Sequence, residues 1–212
     1  MARQRREVRE ATERLVELDP AFAHVVEHGE PCTLRRPTPP TEHFAELARS
    51  VCYQQLAGAA ARTIHGRFDA LFDGEPTPEA VLDLPVEALR GCGLSGAKAA
   101  SIRDLAEKTA AGEVHLGGFN RMRDEAVVAE LVKVRGVGPW TAHMFLMFQL
   151  GRLDVWPVGD YGVRKGWTVV HGLSEMPTER AFRPMGDDIA GVRSVAAWYC
   201  WQAVDTVLPT AG

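Results

Sequence analysis

Apolar residues along this chain recur at helical intervals. Phe44, Leu47, Val51 and Leu56 form one such run, Ile64, Phe68, Leu71 and Phe72 a second, and Val127, Val128, Leu131 and Val134 a third. That spacing places each set on one face of an α-helix, where it can be buried against a neighbour. The polar punctuation agrees. Asp19-Pro20 and Thr77-Pro78 pair a side chain that can accept from free N–H groups with a proline whose missing N–H costs nothing at a helix start. Ser95 opens a further helix, and Gly29 stops the one begun at Asp19. No segment alternates apolar and polar residues between turn signals, so a sheet of any size is not expected. The proline-rich stretch from Pro31 to Pro40 reads as a connector, and repeats and low-complexity segments are absent. The pattern predicts an all-α chain.

One region breaks the helical period. Leu131 to Ala142 contains Gly136-Val137-Gly138-Pro139 and predicts helix, glycine hairpin, helix. Glycines at 136 and 138 permit positive φ and a close approach that a Cβ would obstruct. Pro139 suits a first helical position. The N–H groups of the turn that follows, with the helix dipole behind them, form a site for a phosphate oxygen. Gly-x-Gly alone fits a plain helix-loop-helix link equally well. Twenty-two residues after Gly138 comes Asp160, within Val158-Gly159-Asp160-Tyr161. An aspartate there suits an N-cap, and that role can coexist with chemistry.

Taken whole, the string resembles the helix-hairpin-helix DNA glycosylases, which share a Leu-x-Gly-Val-Gly-x-x-Thr-Ala hairpin and a catalytic Asp in the loop opening a later helix. Three more segments are similar to the 3-methyladenine DNA glycosylase II branch: Val51 to Ala60 with its Gln54-Gln55 pair, Gly93-Leu94-Ser95-Gly96-Ala97-Lys98, and Arg193-Ser194 through Trp201. Arg135 stands where the family more usually has proline. The resemblance covers roughly residues 15 to 205. It implies a single compact helix-hairpin-helix glycosylase domain over 1–212, all-α and two-lobed. Both chain ends would form one lobe, roughly 45–165 would contribute the hairpin lobe, and an interlobe cleft would hold the site.

The resemblance also implies roles. Asp160 would be catalytic, stabilising positive charge on the sugar as the glycosidic bond breaks and orienting or deprotonating water. Trp140 occupies the hairpin position where bifunctional relatives carry a lysine nucleophile. No imine can form from tryptophan, so simple hydrolysis is implied. Tyr161 and Trp201 match pocket aromatics, with Tyr53 and Gln54 as a further wall. Alkylation at a ring nitrogen makes a purine cationic, and a cation over an aromatic face gains ~0.5–2 kcal/mol. Gly136, Val137, Gly138, Thr141 and Lys98 would contact DNA. Leu56, followed by Ala57 and Gly58, is the candidate wedge into the vacated stack. The expected partner is double-stranded DNA with alkylated purines of the 3-methyladenine or 7-methylguanine type, in base excision repair, and no cofactor or metal is called for. Two alternatives stay open: a non-catalytic DNA-binding module, and a glycosylase for deaminated or cyclic-adduct bases.

Composition adjusts the picture. With 212 residues, 46% of them hydrophobic, the chain can bury a core. No apolar run approaches the ~20 residues that span a bilayer, and Met-Ala-Arg-Gln-Arg-Arg leads into no secretory core, so the bacterial cytosol, off the membrane, is expected. A monomer is also expected. Cysteines at 32, 52, 92 and 200 lack the spacing of a disulfide scaffold, zinc site or iron-sulfur cluster. The net charge of −4 runs against DNA binding unless positive charge is local. Arg121, Arg123, Lys133 and Arg135 near the hairpin, Lys98, and Arg164 and Lys165 after Asp160 could supply it. Arg3, Arg5, Arg6, Arg9 and Arg14 read mainly as a solvated helix face. His24-Val25-Val26-Glu27-His28 matches an inverted zinc-peptidase pattern, but the third ligand is missing, and two surface histidines are the better reading. Asp187 and Asp188 read as solvated helix residues, and Cys200, Trp198 and Tyr199 as packing.

Overall fold

In the computed structural model, residues 2–34, 37–56 and 58–207 are described, with side chains given from 6 to 204. Ala57 and the side chains of Arg3 and Arg5 lie outside the described residues. Twelve α-helices are found among them: α1 (Ala2–Leu18), α2 (Ala23–His28), α3 (His43–Tyr53), α4 (Gly58–Asp69), α5 (Pro78–Leu82), α6 (Val86–Gly91), α7 (Gly96–Ala110), α8 (Asp124–Leu131), α9 (Pro139–Phe148), α10 (Tyr161–Val170), α11 (Glu179–Phe182) and α12 (Arg193–Val207). No strand occurs among the described residues.

The caps act as their residue types require. Thr77 accepts from Ala80 N at 3.2 Å and Ser95 from Lys98 N at 3.3 Å. Asp19 caps a short 3-10 turn, Pro20–Phe22, that runs into α2, and Gly29 ends it. Three periodic runs overshoot their helices. Leu56 lies beyond the end of α3, because Gln54 leaves helical geometry with ψ 131° and Gln55 follows with φ 55°. Leu71 and Phe72 follow α4 in a turn, and Val134 follows α8 in the hairpin, buried nonetheless. Asp187 and Asp188 sit in an exposed bend rather than on a helix.

The chain divides into two compact units: Met1–Arg36 with Leu146–Gly212, and Pro37–Phe145. The hairpin unit is therefore shorter than the 45–165 expected, and Asp160 belongs to the other. The reason is packing: α10 lies against α12, with Gly166 so close to Cys200 that a Cβ would meet its backbone.

In the first unit the core is aromatic. Trp167 stands edge-on to Phe22, Trp156 and Phe182 at 5.8, 5.5 and 5.6 Å between ring centres. Trp156 donates Nε1–H to Phe182 O at 3.2 Å, which satisfies its one polar atom. Asp19 Oδ2 meets His171 Nε2 at 2.8 Å, tying the turn before α2 to the end of α10. In the second unit, α3 packs on α4 and α7, and α5 and α6 pack on α7. Phe44, Leu47, Val51, Phe68, Ile102, Leu105 and Leu131 fill its interior.

Glycine substitutions should separate close packing from open helix. Gly166→Ala puts a Cβ within 2.6 Å of Cys200 Cα and should cost about 1–3 kcal/mol, or a Tm lowered by roughly 2–12 °C. Gly66→Ala, in α4 with nothing within 4 Å, should instead raise Tm slightly, since alanine is the better helix former by ~1 kcal/mol. Differential scanning calorimetry of both variants is the measurement.

Candidate functional site

The hairpin is built by backbone geometry. After α8 the chain turns through Val134 to Gly138, with Val137 N donating to Val134 O at 3.1 Å, and α9 starts on Pro139. The two glycines do different work. Gly136 takes φ +75°, and a Cβ there would strike Ser101 Oγ on α7. Gly138 has no left-handed φ, and a Cβ there would meet nothing within 4 Å. The positive φ expected at both is thus needed only at 136, while 138 keeps an open approach to the backbone. Val137 points inward, 5% exposed, so only its backbone is available to a ligand.

Gln54 and Thr141 brace this turn from within the unit. Gln54 Nε2 donates to Gly136 O at 3.1 Å and to Thr141 Oγ1 at 3.4 Å, so the residue expected as a pocket wall also clamps the hairpin. Lys98, expected as a DNA contact, lies on the first turn of α7 rather than in a loop, and its ammonium donates to Cys52 O at 2.9 Å. Burial pushes its pKa down. There it holds the last turn of α3, where a cation is favoured by the helix dipole.

Above that turn is a cavity of about 450 Å³ lined by Tyr53, Gln54, Trp140 and Thr141, by Gln55 of the Gln-Gln pair, and by Ser50, which carries no sequence signal. Trp140 is 46% exposed. The Arg49 guanidinium lies 5.5 Å from the Tyr53 ring centre, and His65 makes a T-shaped pair with the same ring at 5.8 Å. Leu56, just past the left-handed Gln55, is exposed.

Asp160 lies in the first unit at the N-cap of α10 and is 7% exposed. Its Oδ1 accepts from Val163 N at 2.8 Å and from Trp201 Nε1 at 3.0 Å, which fixes the carboxylate plane. Trp201 is stacked on Phe148 at 5.9 Å, so the residue expected as a pocket aromatic is also an orienter of the acid. Gly162 makes room: a Cβ there would come within 2.8 Å of the indole. Tyr161, next to Asp160, is 62% exposed.

The loop before Asp160 is anchored by the Arg193-Ser194 pair. Arg193 grips Asp154 through two bonds of 2.6 and 2.7 Å, and Ser194 Oγ accepts from Val155 N at 2.9 Å. The motif was visible in the sequence, but its partner loop was not. Phe148 and Gly162 were missed; only the small residue beside Asp160 offered a signal.

Other chemistries find little support. Among the described residues no group of three His, Cys, Asp or Glu could hold a metal ion. His28 Nδ1 bonds His24 O at 2.9 Å within α2. Burial pushes the Cys52 thiol up to about 12 and Cys200 well above its ordinary value, so neither is a thiolate nucleophile at neutral pH. Tyr199 is buried, as its packing role requires. No helix among the described residues is long and apolar enough to cross a membrane.

Comparison with known proteins converges on one family. Residues 48–185 match the model of the HhH-GPD superfamily of base excision DNA repair proteins. DNA-3-methyladenine glycosylase 1 of Schizosaccharomyces pombe is 35% identical over 76% of this chain and 72% of its own length. The structure of the S. pombe 3-methyladenine DNA glycosylase Mag1 in complex with abasic DNA superposes with a TM-score of 0.80, at 33% identity, over 91% of this chain and 95% of that one. A DNA-3-methyladenine glycosidase from Bacillus halodurans gives a TM-score of 0.82 at 32% identity, over 93% and 90%.

The two hairpin glycines should separate by experiment. Gly136→Ala forces a left-handed residue against Ser101 and should lower stability by about 1–3 kcal/mol. Gly138→Ala should leave Tm unchanged and weaken damaged and undamaged duplexes alike, because its methyl occupies only the approach to the backbone. Thermal denaturation and duplex titration check the two.

Proposed function

This chain belongs to the HhH-GPD superfamily of base excision DNA repair proteins, and from the site it builds we propose a monofunctional DNA glycosylase that removes alkylated purines. The observation that carries the reading is the Asp160 carboxylate, held at the start of α10 by Val163 N–H and the Trp201 indole in a chain that also carries the glycine hairpin. A fixed negative charge stabilises the cationic sugar that develops as the glycosidic bond breaks, and it costs no reorganisation during the reaction. The same carboxylate orients the attacking water and accepts its proton. The departing base takes the bonding electron pair, and alkylation has already made it a good leaving group.

Trp140 at the lysine position supports hydrolysis without strand cleavage, since no amine is there to form an imine. Tyr53 and Trp140 supply aromatic faces suited to a cationic base. Extrusion costs a few kcal/mol and least for a damaged base, which adds to selectivity. The exposed Leu56 suits the wedge that fills the gap. The solved relative bound to abasic DNA carries the product such a hydrolysis leaves. Membership of the type II branch, action as a monomer and a cytosolic location belong to the same proposal.

Asp160→Asn keeps the size and much of the capping but removes the charge. Base release from a duplex with one 7-methylguanine should fall by about 10²–10³ or more while binding survives. In the same assay the wild type should give strand breaks only after alkali and no borohydride-trapped adduct. Near wild-type release by the variant would sink the mechanism.

The net charge of −4 gives a second test. Several cations expected near DNA are engaged by the protein itself: Lys98 by Cys52 O, Arg164 by Pro177 O at 3.1 Å, and the exposed Lys133 by Glu130 at 2.6 Å. Grip through backbone N–H groups then releases few counterions. The slope of log affinity against log salt should correspond to about 2–5 phosphates at roughly −0.9 each. A much steeper slope would move the grip to side-chain cations.

A further inference from the structure

Arg135 directly precedes the first hairpin glycine. A proline at this position would fix φ and have no N–H, whereas arginine leaves φ free and brings a donor. That donor is used: Arg135 N–H donates to Asp104 Oδ2 on α7 at 2.7 Å. The same oxygen takes Lys108 Nζ at 2.9 Å, and Lys108 Nζ also reaches Lys133 O at 2.6 Å. Ser101, three residues before Asp104 on the same face of α7, fills the space a Cβ at Gly136 would need. One helix face, through residues 101, 104 and 108, thus lies against the backbone from 133 to 136, bonded to it at 133 and 135 and in close approach at 136.

The bond is of the strong kind. Burial raises the Asp104 pKa, but the Arg135 N–H and the Lys108 ammonium lower it further, and the net shift is below the ordinary carboxylate value. The group is therefore ionised at neutral pH, and a carboxylate accepting from a backbone N–H bonds more strongly than a neutral pair.

We propose that Asp104 is a positioning residue for DNA binding: through the Arg135 N–H it holds the hairpin backbone in the conformation that offers the N–H groups of Gly138 and the start of α9 to a phosphate. It supplies by a hydrogen bond the restraint that proline supplies by its ring. The effect is preorganisation, which raises affinity by removing an ordering cost at the moment of binding. The inference rests on the reading of the hairpin as the DNA grip, and it acts on binding rather than on bond cleavage.

The test compares Asp104→Ala, Asp104→Asn, Arg135→Pro and the Asp104→Ala/Arg135→Pro pair with the wild-type protein. Each is measured for Kd on undamaged and lesion-bearing duplexes, for KM and kcat of base release, and for Tm. Asp104→Ala should raise both Kd values and KM about 10-fold while kcat changes by less than about twofold. Asp104→Asn still offers an oxygen to the Arg135 N–H and should recover most of the affinity. In the Arg135→Pro background, where that N–H is gone, Asp104→Ala should have no further effect on Kd. Should Asp104→Ala not fold, the Asn variant and the Arg135→Pro protein, measured alone, decide: Arg135→Pro near wild-type Kd, because its ring replaces the restraint, supports the proposal.

A Tm loss with unchanged Kd, a fall in kcat with unchanged KM, an Asn variant as weak as Ala, or additive effects in the pair would each overturn it. A wild-type protein that binds duplex but releases no base would overturn the glycosylase reading alone, since the Kd comparison still stands. One that binds no duplex would overturn both.

Discussion

A carboxylate that is 7% exposed has to be hydrogen-bonded, because burying a charge without partners is costly. Much of the first unit serves that requirement at Asp160. The Val163 N–H comes from its own helix, a bond any N-cap would make. The Trp201 indole comes from α12, and it reaches Oδ1 only because α10 and α12 run close together. Two glycines permit this. Gly166 lets the helices meet at Cys200, and Gly162 leaves space for the indole. Phe148 backs the indole, and the Arg193-Asp154 and Ser194-Val155 bonds hold the loop that delivers the acid. The orientation of one side chain is therefore distributed over residues from 148 to 201.

The second unit solves a different problem with backbone rather than side chains. On the proposed reading a chain of net charge −4 holds a polyanion through the backbone N–H groups of a hairpin rather than through many cations. Its cost is conformational, since a turn with a left-handed residue holds its shape only when surrounding groups bind it. Gln54, just past the end of α3, and Asp104 and Lys108 from α7 meet that need, with Ser101 packed close to Gly136. Lys98 contributes indirectly, by fixing the end of α3 from which Gln54 projects. Cations that look in sequence like a DNA-facing patch are in part internal fasteners.

Local chemistry was legible because its partners are near in sequence. Helical periodicity, the Thr77, Ser95 and Asp19 caps, the glycine turn at 136 and the Pro139 start depend on atoms within about four residues, and each stands as read. The helix ends were less legible. Leu56, Leu71, Phe72 and Val134 continue the apolar spacing but lie past the last helical turn, because burial of an apolar side chain does not require that its residue be helical.

By itself, then, the sequence determined an all-α chain, a glycine hairpin of defined position, and an acid at a helix start twenty-two residues beyond it. Only the tertiary structure decided which groups hold those parts in place. That Trp201 orients Asp160, that Gln54 and Asp104 grip the hairpin, that Lys98 turns inward, and that Gly138 is open where Gly136 is crowded all depend on contacts across 31 to 87 residues of chain, or on their absence. The physical reason is directional. Periodicity and capping record which face of a segment is buried and where it begins, whereas a hydrogen bond between segments requires two atoms within about 3 Å at a fixed angle, a condition set only when the helices have packed.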